Sequence, residues 1–494
     1  MPTQFLRLED CSYWHGCVLA YGHFNTIHPG HIRYLRHARG LGDKLVVALI
    51  GDGKTSYTFQ QQERAEALSL LGIADAVLLL DADEINKAIQ ALKPKVLVLG
   101  NEFKNNAEIQ TTLVQQRQQG GTVQFHAGDV HYATADLLSG SERDLRQQRG
   151  DLFQAACRRQ SIDPGALLDA INSWKSTRLI VLGDTIVDQY AACEAIGMSA
   201  EAPVVVVREL EHKNFIGGAA VVAAHIRALG ARCDFISVVG SDSAAELVRQ
   251  ELAIQSIGDG LSTDPSRPTT FKKRYVVENQ KLFRVSRLEE HNLDAEVEDQ
   301  VIAQLQMLAP LAQGIVVSDF VYGVVTPRIL EVVHQLAQDH NLLLFGDLQC
   351  SSQVGSVTRF EKFSLLCPNE REARLALQDK DSGLEQLSQR LLQVTRSERL
   401  VMKLGPEGFI AYDRDADGLL SNQAFPALSV NPLDVAGAGD SLLALFATGL
   451  ASGQAMMPTA ALACCMAALA VETMGNTPIS ATALRTNVME MLLP

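Results

Sequence analysis

The segment Asp434-Val435-Ala436-Gly437-Ala438-Gly439-Asp440 concentrates the residue types that phosphate chemistry needs. Two glycines and two alanines put nothing bulky on the turn, so its backbone can approach an anion closely. The apolar run from Ser441 to Phe446 follows at once, and the amides of Ala436, Gly437, Ala438 and Gly439 would therefore open a helix N-terminus toward that anion. Asp440, at the start of the helix, can accept the proton of a substrate hydroxyl while those amides stabilise charge on a transferring phosphoryl group. A helix start whose acidic first turn answers only to the helix dipole is the plainer alternative.

A second cluster is Gly22 to His31, GHFNTIHPGH. His28 and His31 flank a Pro-Gly pair, and Pro29 suits the first position of a helix, so both imidazoles should sit near one N-terminus. Two donors there can hold nucleotide phosphates and stabilise a departing pyrophosphate. A pair of surface or metal-binding histidines is the alternative, and for a metal site no further ligand is spaced. Smaller pieces come later in the chain. Asn369 and Glu372, three apart at a helix start, could hold hydrated Mg²⁺ or form a plain helix cap. Lys403, Gly405 and Gly408 form a tight turn suited to packing beside a nucleotide. Gly217-Gly218 is a tight entry into a helix, as consistent with packing as with binding. Residues 268–288 alternate as a β-ribbon carrying Lys272, Arg274 and Arg284, which would otherwise be solvated charges.

Two α/β domains are needed to place these groups. Between residues 15 and 140, strand-length apolar runs (Cys17–Tyr21, Leu45–Ile50, Ala76–Leu80, Val96–Leu99, Val123–Phe125) alternate with helical patterns (Ile32–Arg39, Glu63–Leu71, Ile85–Leu92, Glu108–Gln118). The alternation predicts a doubly wound parallel sheet with its site at the strand carboxyl ends. Residues 141–177 are polar with a break at Asp163-Pro164-Gly165 and read as a short helical linker. The second domain, 178–494, opens on the strand RLIVLGD and leads to Asp188.

At 494 residues the chain is too long for one core. Its net charge of -14 falls almost wholly beyond residue 150, which argues against nucleic-acid and anionic-membrane partners. Nine cysteines without CxxC spacing point to reduced thiols, with Cys464-Cys465 in the core of an alanine-rich helix. Neither a signal peptide nor a spanning helix is legible, so a soluble, cytoplasmic protein is expected.

The first domain resembles the cytidylyltransferase-like nucleotidyltransferases: HxGH is followed in order by GDKLVVALIGD (42–52), QERAEAL (62–68) and LKPKVLVLGNEFK (92–104). The resemblance implies a Rossmann-like fold, triphosphate contacts from His28 and His31 with help from Lys44, and nucleotide contacts from Gly22, Phe24, Gly100 and Asn101. Asn25 stands where that family has an aspartate, and Thr134 is the one hydroxyl of its late helix-start turn. Residues 178–494 resemble the ribokinase-like carbohydrate kinases through GDTIVDQY, FIGGAA, the ribbon, NERE and DVAGAGD. That resemblance implies a large α/β domain with a small β lid, ATP as co-substrate and Mg²⁺. By it, Asp440 is the general base, Ala436–Gly439 the anion hole, and Asn369 and Glu372 the metal-phosphate end. Lys403, Gly405 and Gly408 then lie by the nucleotide, and Asp188, Gly217, Gly218, Lys272 and Arg274 by the sugar. The closest subgroup in these motifs is the heptose kinases fused to adenylyltransferases, with the domain order reversed here. Val221 replaces an asparagine after GGAA, and Asp347-Leu348-Gln349 replaces an aspartate followed by a proline-lysine pair. Together the resemblances imply a two-step sugar activation: phosphorylation of a sugar or sugar phosphate, then nucleotidyl transfer from a nucleoside triphosphate. Adenylyl transfer is favoured over cytidylyl. A non-catalytic first domain is the competing reading, and a homo-oligomer, a dimer, is expected from both families.

Overall fold

The structure, a computed structural model, describes residues 3–24, 27, 29–52, 59–81, 85–100, 113, 114, 116, 117, 120–126, 142–201, 204–278, 280–349, 355–380, 382–414 and 420–492. His28, Asn101 and Thr134 lie outside the described residues, as do Asn25 and much of the helix expected at 108–118. Packing divides the chain into two units, Met1–Ser139 with Leu377–Leu391 and Gly140–Ala376 with Leu392–Pro494.

In the first unit, strands β1 (Gln4–Leu6), β2 (Val18–Gly22), β3 (Leu45–Leu49), β4 (Ala76–Leu79), β5 (Val96–Gly100) and β6 (Thr122–His126) form one parallel sheet in the order β1-β4-β3-β2-β5-β6. The helices are α1 (Pro29–Arg39), α2 (Gln61–Leu70) and α3 (Ile85–Leu92). Period-two alternation divides the strand residues between two cores. Leu19, Tyr21, Val46, Ala48 and Leu97 pack with Ile85 and Ile89 of α3. Ala20, Val47, Leu49 and Val98 pack with Leu35 and Ala38 of α1 and Leu68 of α2. Burial on both faces is why these strands read as continuous apolar runs. β1 was not foreseen, because three residues carry no usable period. Strand order reverses between β2 and β5, so their carboxyl ends, Gly22 and Gly100, flank the switch point where such sheets bind ligands.

The second unit begins with α4 (Glu142–Arg159) and α5 (Pro164–Ser173). These are the helices of the expected linker, yet they do not merely connect. Phe153, Ala156, Cys157, Leu167, Ile171 and Trp174 join Leu179 and Val181 in one core. The Phe153–Cys157 stripe is short and lies among charges, which hid it from the sequence reading. Asp163 caps α5, accepting from the Ala166 amide at 2.9 Å, with Pro164 in the first turn.

A nine-stranded sheet follows, in the order β11-β10-β7-β14-β15-β16-β17-β18-β19. Its strands are β7 (Arg178–Gly183), β10 (Arg232–Val239), β11 (Gly258–Thr263), β14 (Gly314–Asp319), β15 (Leu343–Leu348), β16 (Leu365–Leu366), β17 (Arg399–Lys403), β18 (Phe409–Arg414) and β19 (Leu420–Phe425). Pairing is parallel up to β17 and antiparallel in the last two steps. A separate four-stranded sheet, β13-β12-β8-β9, is built from β8 (Thr185–Met198), β9 (Val205–Gly218), β12 (Thr270–Val277) and β13 (Gln280–Arg287). It is the expected lid, and the 268–288 ribbon is its β12–β13 hairpin. The helices are α6 (Ala219–Ala228), α7 (Ser243–Ile254), α8 (Ala295–Leu308), α9 (Pro327–His340), α10 (Glu370–Leu377), α11 (Leu384–Thr395, whose residues up to Leu391 are counted with the first unit), α12 (Ala438–Ala451), α13 (Met456–Val471) and α14 (Ala481–Leu492). α12 and α13 are apolar nearly all round and buried, Cys464 and Cys465 included. All eight described cysteines are buried free thiols. Among the described residues no helix is long and apolar enough to cross a membrane.

Candidate active sites

The turn expected to hold phosphate, residues 434–440 of the second unit, enters α12 through Gly437, whose φ of +79° is left-handed. A Cβ there would also stand 2.6 Å from Asn476 Oδ1, so both conformation and space call for glycine. Asp440 follows in the first helical turn, 6% exposed. Its Oδ1 accepts a 2.6 Å bond from Gln349 Nε2. Beside it, Lys403 Nζ lies 2.8 and 2.7 Å from the two oxygens of Asp347, and 3.2 Å from where a Cβ on Gly439 would be. Burial works against the Lys403 charge, but Asp347 and Glu372 outweigh it and hold the ammonium protonated beside Gly439.

Burial pushes the Asp440 carboxyl up to about 7, the Asp347 charge adds to that, and Lys403 and Gln349 oppose it. A carboxylate poised near neutrality is a good general base. A cavity of about 570 Å³ brings Asp440 and Ala436–Gly439 together with Lys403, Gly405, Gly408, Asn369 and Glu372. The groups expected at the nucleotide end of this domain therefore share one cavity.

Asp434 anchors the turn. Its carboxylate accepts from the Ala436 amide at 3.0 Å, from Tyr190 Oη at 2.6 Å and from Lys281 Nζ at 2.7 Å. Tyr190 and Lys281 belong to lid strands β8 and β13, so one carboxylate ties the lid to the phosphate turn. At the residues expected to face a sugar, Asp188 pairs with Arg274 and accepts from Asn476 Nδ2 at 3.1 Å. Gly217 makes room for it: a Cβ there would lie 2.3 Å from Asp188 Oδ2. Gly218 ends β9 directly before α6. Lys272, the register partner of Asp188, is buried with its ammonium 5.5 Å from the Phe320 ring and 5.0 Å from the Tyr322 ring.

Asn369 and Glu372 form a capping box: each side chain accepts from the other's amide at 2.8 Å. The plain-cap alternative thus describes the bonds they make. Both still line the cavity wall, and their oxygen donors suit a hydrated Mg²⁺ carried mainly by phosphates. No group of three or more His, Cys, Asp or Glu that could hold a metal occurs among the described residues.

In the first unit, Tyr34 of α1 wedges the switch point open. Its hydroxyl accepts from the Tyr21 amide at 3.0 Å and donates to the Val98 carbonyl at 2.7 Å, where β2 and β5 stop pairing. Phe24, buried with φ +48°, places its ring 5.0 Å from that of His31. Gly22, Phe24, His31 and Gly100 therefore gather at the carboxyl end of the sheet. Lys44 does not join them. It precedes β3 at the amino edge, roughly 16 Å away along a five-residue strand. There its ammonium donates to the Tyr13 carbonyl at 3.1 Å and sits 3.8 Å from the Tyr13 ring centroid.

Sequence reasoning missed Gln349, Asn476, the anchoring role of Asp434, and Arg64. Gln349 was legible only as a departure from a motif, and Asn476 follows the phosphate turn by two whole helices. Arg64, 1% exposed, lies inside the quoted QERAEAL segment. It binds the carbonyls of His23, Ile50 (2.9 Å) and Phe59 (3.1 Å) and the Asp52 carboxylate (2.7 Å), fixing the loops at the strand carboxyl ends.

Comparison with known proteins bears on the fold and the family of each unit. Residues 19–142 match the family model described as cytidylyltransferase-like. The chain is 31% identical over 306 residues to the bifunctional protein HldE of Geobacter metallireducens, covering 61% of each. It is 30% identical over 312 residues to the HldE of Campylobacter jejuni, covering 62% of this chain and 64% of that one. The matches thus span less than two thirds of these relatives' length. Among solved structures, phosphofructokinase-2 from Escherichia coli in complex with substrates and products aligns at TM-score 0.53 and 15% identity, over 64% of this chain and 99% of that one. A ribokinase from Arabidopsis thaliana complexed with ribose and ATP aligns at TM-score 0.50 and 17% identity, over 63% and 98%. At such identities these two speak for the fold alone. Residues 176–483, well over half of the sequence, match the model described as pfkB family carbohydrate kinase, and the chain belongs to that family.

Proposed function

We propose that the chain activates a sugar in two steps. In the second unit, ATP phosphorylates the anomeric hydroxyl of a sugar or a heptose 7-phosphate-like sugar phosphate. In the first, a nucleoside triphosphate, ATP by preference, transfers its nucleotidyl group to that 1-phosphate, giving an NDP-sugar and pyrophosphate. The carrying observation is the buried Asp440 carboxyl, raised to about 7 at the mouth of an amide cradle. The family membership and the HldE relatives support the coupling.

The sugar hydroxyl gives its proton to Asp440. Its oxygen bonds the γ-phosphorus as the bond to the ADP oxygen breaks, and ADP leaves with that electron pair. Amides of Ala436–Gly439 and the Lys403 ammonium take up the charge on the transferring group. Asp188, oriented by Arg274 and Asn476, accepts hydroxyls of the sugar and fixes its angle of attack. Mg²⁺, when bound by phosphates with Glu372 and Asn369 nearby, would supply charge neutralisation. In the first unit, His31 and the switch-point backbone at Gly22 and Gly100 would hold the second nucleotide.

The test is ADP release from ATP and Mg²⁺ over heptose 7-phosphate, other sugar phosphates and free sugars, with Asp440→Asn as control. Turnover that falls by about 100-fold or more in the variant is expected. Turnover indifferent to Asp440 would refute the assignment of the base. Pyrophosphate release from sugar 1-phosphates tests the first unit separately, and its absence would leave that unit a binding module.

A further inference from the structure

One residue lining the Asp440 cavity, Arg149, comes from a segment that neither family model covers. The two matches end at residue 142 and begin at residue 176, and α4 lies between them. Phe153, Ala156 and Cys157 fix one stripe of α4 in the core of the second unit, with the Phe153 ring 6.5 Å from that of Phe425. Arg149 stands one turn before Phe153 and faces the same way. Its half-buried side chain lines the cavity that holds Asp440 and the phosphate turn. Its Nη1 donates to the Ser429 carbonyl.

Ser429 belongs to the wall formed by Pro426, Leu428, Val430 and Pro432, which is apolar. The same cavity also carries the amides of Ala436–Gly439 and Lys403. A triphosphate takes the charged lining, which leaves the apolar lining to the nucleoside. We infer that Arg149 is a nucleoside-recognition residue of the kinase, contacting the base and ribose of its nucleotide. A guanidinium offers five N–H donors in one plane, and a single bond to Ser429 leaves others for ring nitrogens or ribose oxygens. Its flat face also stacks on a purine in a way that a lysine cannot reproduce. Core packing of α4 holds the group in place before ligand arrives, so little ordering entropy opposes the contact. The segment joining the two activities thereby completes the nucleotide pocket of one of them.

This inference rests on reading the cavity as the ATP site, and the experiment separates the two. Full-length wild type, Arg149→Met and Arg149→Lys are compared for ATP KM and kcat, and for inhibition by adenosine and by tripolyphosphate. In Arg149→Met, ATP KM and the adenosine inhibition constant are expected to rise about 10-fold or more, as for a lost charge-assisted bond. Values of kcat within about twofold and unchanged tripolyphosphate inhibition should accompany that rise, with partial recovery in Arg149→Lys. If Arg149→Met does not fold, Arg149→Lys decides, because it keeps the stem and charge and removes the fork. Unchanged adenosine inhibition in the folded variants, or equal loss for tripolyphosphate, overturns the inference. A wild type that is inhibited by neither compound would sink the ATP-site reading itself.

Discussion

Replacing Gln349 by leucine should move the pH profile of the kinase without moving its ceiling. Gln349 donates a 2.6 Å bond to Asp440 Oδ1, and this bond favours the ionised base. A hydrogen bond to a charged group is worth about 1.5–3 kcal/mol, and each 1.36 kcal/mol is one pKa unit, so its loss raises the Asp440 pKa by roughly one to two units. Starting from about 7, the carboxylate is half ionised at neutral pH. After the shift, roughly 1–10% is ionised, and kcat/KM at pH 7 falls about 5- to 50-fold. The sign follows from the proposed role: a general base acts in its ionised form, so activity is present above the pKa and lost as pH falls through it. The assay is kcat/KM from pH 5.5 to about 10, where the variant should climb back toward the wild-type plateau. Gln349→Glu should shift the limb further, since it adds a like charge beside Asp347 and Asp440. A variant whose acid limb stays in place while its plateau drops would refute the reasoning, because Gln349 would then act on something other than the ionisation of the base.

Two further outcomes concern the first unit. Lys44→Ala should leave pyrophosphate release within about twofold of wild type, since Lys44 sits at the opposite edge of the sheet from Gly22 and Gly100; a large kcat loss would contradict that placement. Arg64→Leu should destabilise the unit by about 2–4 kcal/mol, because it strands the carbonyls of His23, Ile50 and Phe59. Thermal unfolding checks it, and an unchanged first transition would show those carbonyls rehydrate freely.

The sequence by itself determined the two α/β architectures and the glycine-rich turn that opens α12 at Asp440. Those features are local: a parallel strand buried on both faces must be a short apolar run, and an amide cradle needs small residues at consecutive positions. It could not separate cap from metal site at Asn369 and Glu372, since both uses want oxygen atoms at the same spacing. What only tertiary structure decided are pairings between distant segments. Gln349 meets Asp440, Lys403 meets Asp347, and Asn476 meets Asp188, and no periodicity records such contacts. Lys44 shows the converse, a residue of suitable type beside a matching motif whose strand direction carries it to the far edge of the sheet. The polar stretch 141–177 was read as a linker because composition averages over a helix. Burial acts on one stripe of that helix, and the stripe holding Phe153 also sets Arg149 against the cavity.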